Sequence, residues 1–249
     1  MPRYFLEVAY DGKSYSGFQV QANANSVQEE VEKAISIFLR QPLSLTGASR
    51  TDTGVHARQN YFHFDFQGDM PGETLYHLNA ILPQDIVLKS VKPVGANAHC
   101  RFDAISRHYS YHIYARKDPF LRNIAFFFPF TLDRDVLRQA AAIIPGYSDF
   151  SAFSKRNSQV KDYLCSVSRC VWLEENGLLV FHIESNRFLR GMVRGLVGTM
   201  LLVGRLKMDL NEFASVIAGA DPRHADFSVP GHGLFLEGIQ YPDSVFVSV

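Results

Sequence analysis

From Arg3 to Tyr10 apolar and polar positions alternate, the period of a half-buried strand, and the run stops at the turn pair Asp11-Gly12. The period then changes. Ser26-Val27-Gln28-Glu29 has the spacing of a capping box, and Val27, Val31, Ala34, Ile35, Phe38 and Leu39 fall on one face of a helix running to about Arg40. Strands are expected at about 43–48, 60–66 and 85–93, with a short helix after Pro71. The second half repeats this grammar. Tyr109 to Ala115 alternates as a strand, and Asp133 can cap a helix carrying Val136, Leu137, Ala140 and Ile144. Two strands follow near 164–173 and 178–185, joined by a turn at Glu175-Asn176-Gly177. A helix from about Arg187 is expected to end at Gly204, and Asp209-Leu210-Asn211-Glu212 caps another.

Neighbouring strands often have no crossover helix between them, which favours antiparallel or mixed sheet over a doubly wound parallel one. The pattern therefore predicts an α+β chain of two related halves, residues 1–103 and 104–249.

Composition narrows the class. Of 249 residues 47% are hydrophobic and 20% charged, which excludes a disordered chain. The longest apolar runs, Ile124 to Phe128 and Leu196 to Val203, are too short to span a bilayer. Residues 1–20 carry Glu7, Asp11 and Lys13 without a basic-then-apolar layout, so no export signal is read and a cytoplasmic protein is expected. Cys100, Cys165 and Cys170 are odd in number and form no CxxC pair, which fits reduced thiols and no metal site.

Twenty-five basic and twenty-five acidic residues cancel, whereas many nucleic-acid binders are strongly basic. Clustering matters more for phosphate contact than the total. Arg101, Arg107 and His108 form one group, Lys155, Arg156 and Lys161 a second, and Arg187, Arg190 and Arg194 a third. A single group is an ordinary solvated face; three together favour an anionic partner.

The segment from Gly47 to Ala57 concentrates the chemistry. Gly54 allows a positive φ, so Asp52 is presented on a turn between two strands, with Arg50 two residues away. A nearby arginine favours an ionised carboxylate, the form a nucleophile needs. The same residues also make an ordinary Asx-turn beside a solvated arginine, and for an isolated Thr-Asp-Thr-Gly that reading is the commoner one. His56, His63 and Asp65 are candidate metal ligands, which would suit a metal-dependent hydrolase, but no HExxH-type spacing supports a cage.

Ser49-Arg50-Thr51-Asp52-Thr53-Gly54-Val55-His56-Ala57 closely resembles the GRTDAGVHA motif of TruA-type tRNA pseudouridine synthases. Further motifs follow in the family's order. Tyr10-Asp11-Gly12 with Tyr15-Ser16-Gly17-Phe18-Gln19 resembles YDG…YxGWQ, and Ser26-Val27-Gln28-Glu29 resembles SVQ-E. Asn79 to Pro83 resembles NxxLP, His99 to Phe102 with Arg107 to Tyr111 resembles HARF…RxYxY, and Asp149 to Phe153 resembles DFxSF. Phe188-Leu189 with Met192-Val193-Arg194 resembles FLxxMVR, and Gly233 to Leu236 the closing GLxL.

The resemblance implies two ferredoxin-like (RRM-like) halves with mostly antiparallel sheets joined across a central catalytic cleft. It implies a homodimer acting on tRNA, at uridines 38–40 of the anticodon stem-loop, with no cofactor or metal and no membrane. Asp52 aligns with the nucleophile, which attacks either C6 of the base or C1′ of the ribose. Tyr109 aligns with the tyrosine that packs on the flipped uracil and is a candidate for handling the C5 proton. Arg50 and Arg194 align with arginines that hold the carboxylate or steer the substrate. On the expected 187–204 helix, Arg187, Arg190 and Arg194 share a face, so the first two are expected to meet phosphates. Gly191, Gly195 and Gly198 would let that helix pack closely on the sheet.

There are departures from the motifs. Ser49 stands for Gly, Thr53 for Ala, Phe18 for Trp and Cys100 for Ala, while Tyr163-Leu164-Cys165 lies where Thr-x-Arg is commoner. A catalytically silent RNA-binding protein on the same scaffold is the alternative reading.

Overall fold

A computed structural model describes residues 1–155 and 162–247. The chain divides into two units, Met1–Ile105 with Leu236–Val249, and Ser106–Phe235.

In the first unit the alternation of the opening run makes β1 (Arg3–Tyr10), which buries Tyr4, Leu6, Val8 and Tyr10 on one face. Helix α1 (Val27–Leu39) starts where Ser26 Oγ accepts from the Glu29 N–H, and ends at Arg40 in the left-handed region. Its apolar face buries Val27, Val31, Ala34 and Ile35. Strands β2 (Thr46–Gly47) and β3 (His56–Asp65) are antiparallel, and α2 (Thr74–Ile81) leads to β4 (Ile86–Val94). β1 lies between β4 and β3, antiparallel to both, giving the order β4-β1-β3 with β2 on β3.

The second unit opens with β5 (Ser106–Tyr114), to which the short β6 (Phe126–Phe127) is parallel. Asp133 caps α3 (Arg134–Ile143) by accepting from the N–H groups of Asp135 and Val136. β7 (Val167–Glu175) and β8 (Leu178–Ser185) form a hairpin through Asn176 and Gly177, both at positive φ, as a tight two-residue turn requires. β8 is antiparallel to both β5 and β7. Helices α4 (Met192–Gly204) and α5 (Leu210–Ala218) complete the unit, and α5 carries a full Asp209/Glu212 capping box. Trp172 packs at a tilt against Phe181, centroids 4.9 Å apart, and its indole N–H points at Met200 Sδ on α4, 3.4 Å away. The last strand, β9 (Leu234–Gln240), carries the chain back to the first unit, where Arg58 pairs with Glu237 at 3.1 Å and Gln59 Oε1 accepts from the Ile239 N–H.

Three expectations are corrected. The helix expected from Arg187 begins only at Met192, because Gly191 sits at φ 78° and ψ 0°, in the left-handed region. Arg187 and Arg190 belong to the preceding turn, held by Lys155 N–H donating to the Arg190 carbonyl, so no helix face is shared with Arg194. The close approach of α4 at Gly195 and Gly198 is to Phe153, Asp226 and Phe227 rather than to the sheet. The unit boundary lies at 105/106, and the tail from Leu236 belongs with the first unit, because β9 finds its side-chain partners on β3. Among the described residues no helix is long and apolar enough to cross a membrane.

An added Cβ at Gly198 would lie 2.2 Å from the Asp226 carbonyl oxygen, a backbone atom that cannot move alone. Gly198→Ala is therefore expected to destabilise the protein by about 1–3 kcal/mol in urea denaturation, against the ordinary helical preference for alanine. Gly146→Ala, with nothing within 4 Å, is expected to stay within about 0.5 kcal/mol of the parent.

Candidate active site

Asp52 sits part-exposed in the loop between β2 and β3. The loop closes on itself where Val55 N–H donates to the Asp52 carbonyl at 3.2 Å, with Gly54 at φ 74° in the turn's third position. The remaining hold comes from the segment after β1. Phe18 N–H donates to the Thr51 carbonyl at 3.1 Å, and Thr53 Oγ1 donates to the Ser16 carbonyl at 3.0 Å. Gly12 lies so close to the loop that a Cβ would fall 1.9 Å from the Val55 oxygen. The YDG and YxGFQ motifs are thus the walls against which the Asp52 turn is set.

Beneath the loop runs a buried polar network. Asn60, fully buried on β3, accepts from the N–H groups of Ser49 and Tyr61 and donates to the Ser49 carbonyl and the Tyr10 hydroxyl. Tyr10 OH is in turn 2.8 Å from Thr51 Oγ1. Every polar atom of the Asn60 side chain is matched, so the network fixes the residues on either side of Arg50. Neither Asn60 nor Tyr10 is a site residue in the sequence reading; a lone Asn inside a buried strand, beside Tyr61-Phe62, is the signal that points to it.

Arg50 is exposed and lines a pocket of ≈ 270 Å³ together with Phe18, Gln19, Gln28, Arg101 and Phe102. The Arg101 guanidinium stands over the Phe102 ring at 5.6 Å, and Phe102 is 73% exposed. An exposed ring beside two guanidinium groups suits stacking of a base and contact with phosphate.

In the second unit Tyr109 is buried on β5 and packs edge-on against Phe188, centroids 5.0 Å apart at 80°. Arg194, on the first turn of α4, donates from Nε to the Val229 carbonyl at 2.7 Å. Arg187 pairs loosely with Asp162 at 3.5 Å, and Arg190 is exposed. The basic cluster of Arg101, Arg107 and His108 does not survive folding. Arg107 is buried and donates to the Asn186 carbonyl, while His108 lies 3.0 Å from His182 in a chain continuing to Glu175. Of the cluster around Lys155, Arg156 and Lys161 lie outside the described residues.

His56, His63 and Asp65 do not come together. His56 Nδ1 is 3.0 Å from Asp11 and accepts from the Gly12 N–H, and Asp65 makes a paired contact with Arg3, which lowers the Asp65 carboxyl below its usual range. His63 turns to Cys100, 3.1 Å from its Sγ. Burial, with His99 next to it, lowers His63 to about 4. A hydrolase centre on those three residues is excluded by their separate partners.

A family model described as tRNA pseudouridine synthase matches residues 7–103 and 140–242. The protein named tRNA pseudouridine synthase A of Porphyromonas gingivalis is 44% identical over 252 residues, spanning 99% of this chain and 100% of that relative. Its namesake in Parabacteroides distasonis is 41% identical, spanning 99% of this chain and 98% of the relative. In Exiguobacterium the figure is 36%, over 97% of this chain and 98% of the relative. Matched by the family model over most of its length and by these relatives nearly end to end, the chain belongs to the tRNA pseudouridine synthase family.

Proposed function

We propose that this chain isomerises uridine to pseudouridine in tRNA, with Asp52 as the nucleophile. The observation that carries the reading is the Asp52 loop, a part-exposed carboxylate whose backbone is clamped by the Phe18–Thr51 bond and by Gly12 against Val55. Clamping matters because attack on carbon needs a carboxylate already aimed before the substrate arrives. The carboxylate adds to C6 of the uracil or C1′ of the ribose, the N1–C1′ bond breaks, the ring turns, C5 bonds to C1′, and the bond from Asp52 to carbon breaks again, returning the free carboxylate. C5 loses a proton and N1 gains one, so atoms and electrons balance without a redox cofactor.

In this reading Tyr109 gives the extruded uracil a face in place of its lost stack. Arg50 and Arg194 hold the carboxylate or steer the substrate, and Arg187 and Arg190 meet phosphates. The substrate positions are uridines 38–40 of the anticodon stem-loop, in a cytoplasmic homodimer where one tRNA touches both subunits. The order β4-β1-β3-β2 of the first unit, with α1 and α2 as crossovers, supports a ferredoxin-like half. A silent RNA-binding protein has no need of a clamped carboxylate.

Asp52→Asn keeps the shape and removes the attacking charge. Single-turnover formation of pseudouridine is expected to fall by on the order of 10⁴ or more, with tRNA affinity within a few-fold. Substantial turnover by that variant would remove the central claim. Exhaustive chelation of the parent is expected to leave turnover unchanged.

The arginines separate by position. Arg194→Ala is expected to lower the rate constant at saturating tRNA, with little effect on affinity. Arg187→Ala and Arg190→Ala are expected to weaken binding, each shrinking the log–log salt slope by roughly 0.7–0.9. An Arg194→Ala enzyme at the parent rate under saturation, or unchanged slopes for the other two, would overturn the respective assignment.

A further inference from the structure

His63 on β3 and His99-Cys100 in the segment after β4 bring two imidazoles and a thiol together, their donor atoms within 4.8 Å of one another. Cys100 Sγ is 3.1 Å from His63 Nδ1 and 3.1 Å from the Thr46 carbonyl oxygen, and the Cys100 N–H points at the same Nδ1 from 3.4 Å. One thiol proton cannot serve these contacts together. If Nδ1 is unprotonated, it accepts from the backbone N–H, and a thiol donating to Thr46 then turns sulfur lone pairs toward the nitrogen lone pair. If Nδ1 carries a proton, it faces the Cys100 N–H instead. Neither tautomer satisfies all three.

We propose that His63, His99 and Cys100 form a binding site for a thiophilic divalent metal ion, zinc(II), that the isomerisation does not use. A cation between Sγ and Nδ1 takes the lone pair that the two tautomers leave in conflict. Two imidazole nitrogens and a thiolate are the donor set that selects zinc over magnesium or calcium. For each zinc(II) bound, the Cys100 S–H bond breaks, an S–Zn bond forms, and one proton is released to solvent. Sγ and Nδ1 ligands on a tetrahedral zinc lie ~3.6 Å apart, so the pair has to open by roughly half an ångström. His99 also lines the pocket of ≈ 270 Å³ that holds Arg50 and Arg101, which gives the ion an entry path and leaves the fourth zinc position to water or an anion. Nothing in the family motif asks for this thiol, since Cys100 stands where HARF has alanine.

Cobalt(II) is the probe, because a bound thiolate gives it a near-ultraviolet charge-transfer band. The parent protein, purified metal-free, is expected to develop that band to one equivalent of cobalt(II), and zinc(II) is expected to abolish it while releasing one proton per ion. Cys100→Ala installs the residue usual in the motif, so the variant is expected to fold and keep its turnover. It should lose the band and bind zinc(II) at least about 100-fold more weakly. Cys165→Ala with Cys170→Ala is expected to keep both the band and the affinity. Absence of the band in the parent, its persistence in Cys100→Ala, or its loss in the Cys165/Cys170 variant would each overturn the proposal.

Discussion

A loop that carries a part-exposed carboxylate cannot be made rigid by its own few hydrogen bonds, and here the rigidity comes from backbone laid directly on backbone. Gly12 approaches Val55 so closely that a single methyl group would not fit. This approach draws the segment after β1 over the Asp52 loop and lets Phe18 N–H reach the Thr51 carbonyl. Phe18 then stacks on Phe62 of β3 at 4.6 Å, which ties the clamp to the sheet. The start of the chain, the loop and the strand that follows it are thereby one mechanical object.

Beneath that object the Asn60 network adds direction. Backbone contact alone would leave the loop free to slide along the sheet. A buried amide with all its donors and acceptors matched tolerates only one placement of Ser49 and Tyr10. In the second unit the segment at Val229-Pro230 is pinned in a related way, by Arg194 Nε on one carbonyl and the Tyr111 hydroxyl on the next. Tyr111 is deeply buried, and burial raises its phenol well above the usual range, so it stays a neutral donor.

Much of this is legible in the sequence. Alternation locates β1 and β5 because polar positions such as Glu7, Ser110 and His112 interrupt the apolar ones at short range. Capping residues locate α1, α3 and α5 because Ser26, Asp133 and Asp209 act through local bonds that a sequence displays. The 187–204 helix misleads because Phe188, Leu189 and Met192 continue the apolar spacing through a turn held by Lys155, a contact made at a distance. β9 is read only as a motif because its side-chain partners lie on β3, far away in sequence. The chain of motifs points to Asp52, Arg50, Tyr109 and Arg194 as candidates. It does not mark Asn60, whose role exists only once Ser49 and Tyr10 arrive beside it. The basic cluster at Arg101, Arg107 and His108 looks continuous in sequence, yet folding buries Arg107 and turns His108 to His182.

The return of Leu236–Val249 to the first unit has a consequence for how the protein is made. A ribosome releases the chain from its N-terminus, at about 5–20 residues per second. The residues Ser106–Phe235 must all emerge before the last piece of the first unit does, a wait on the order of ten seconds. During that interval β3 stands without the side-chain partners that β9 brings, beside an Asp52 loop whose clamp is already complete. The Asp52 loop is clamped by residues made early, and Leu236–Val249, made later than all of Ser106–Phe235, are the ones that complete the unit around it.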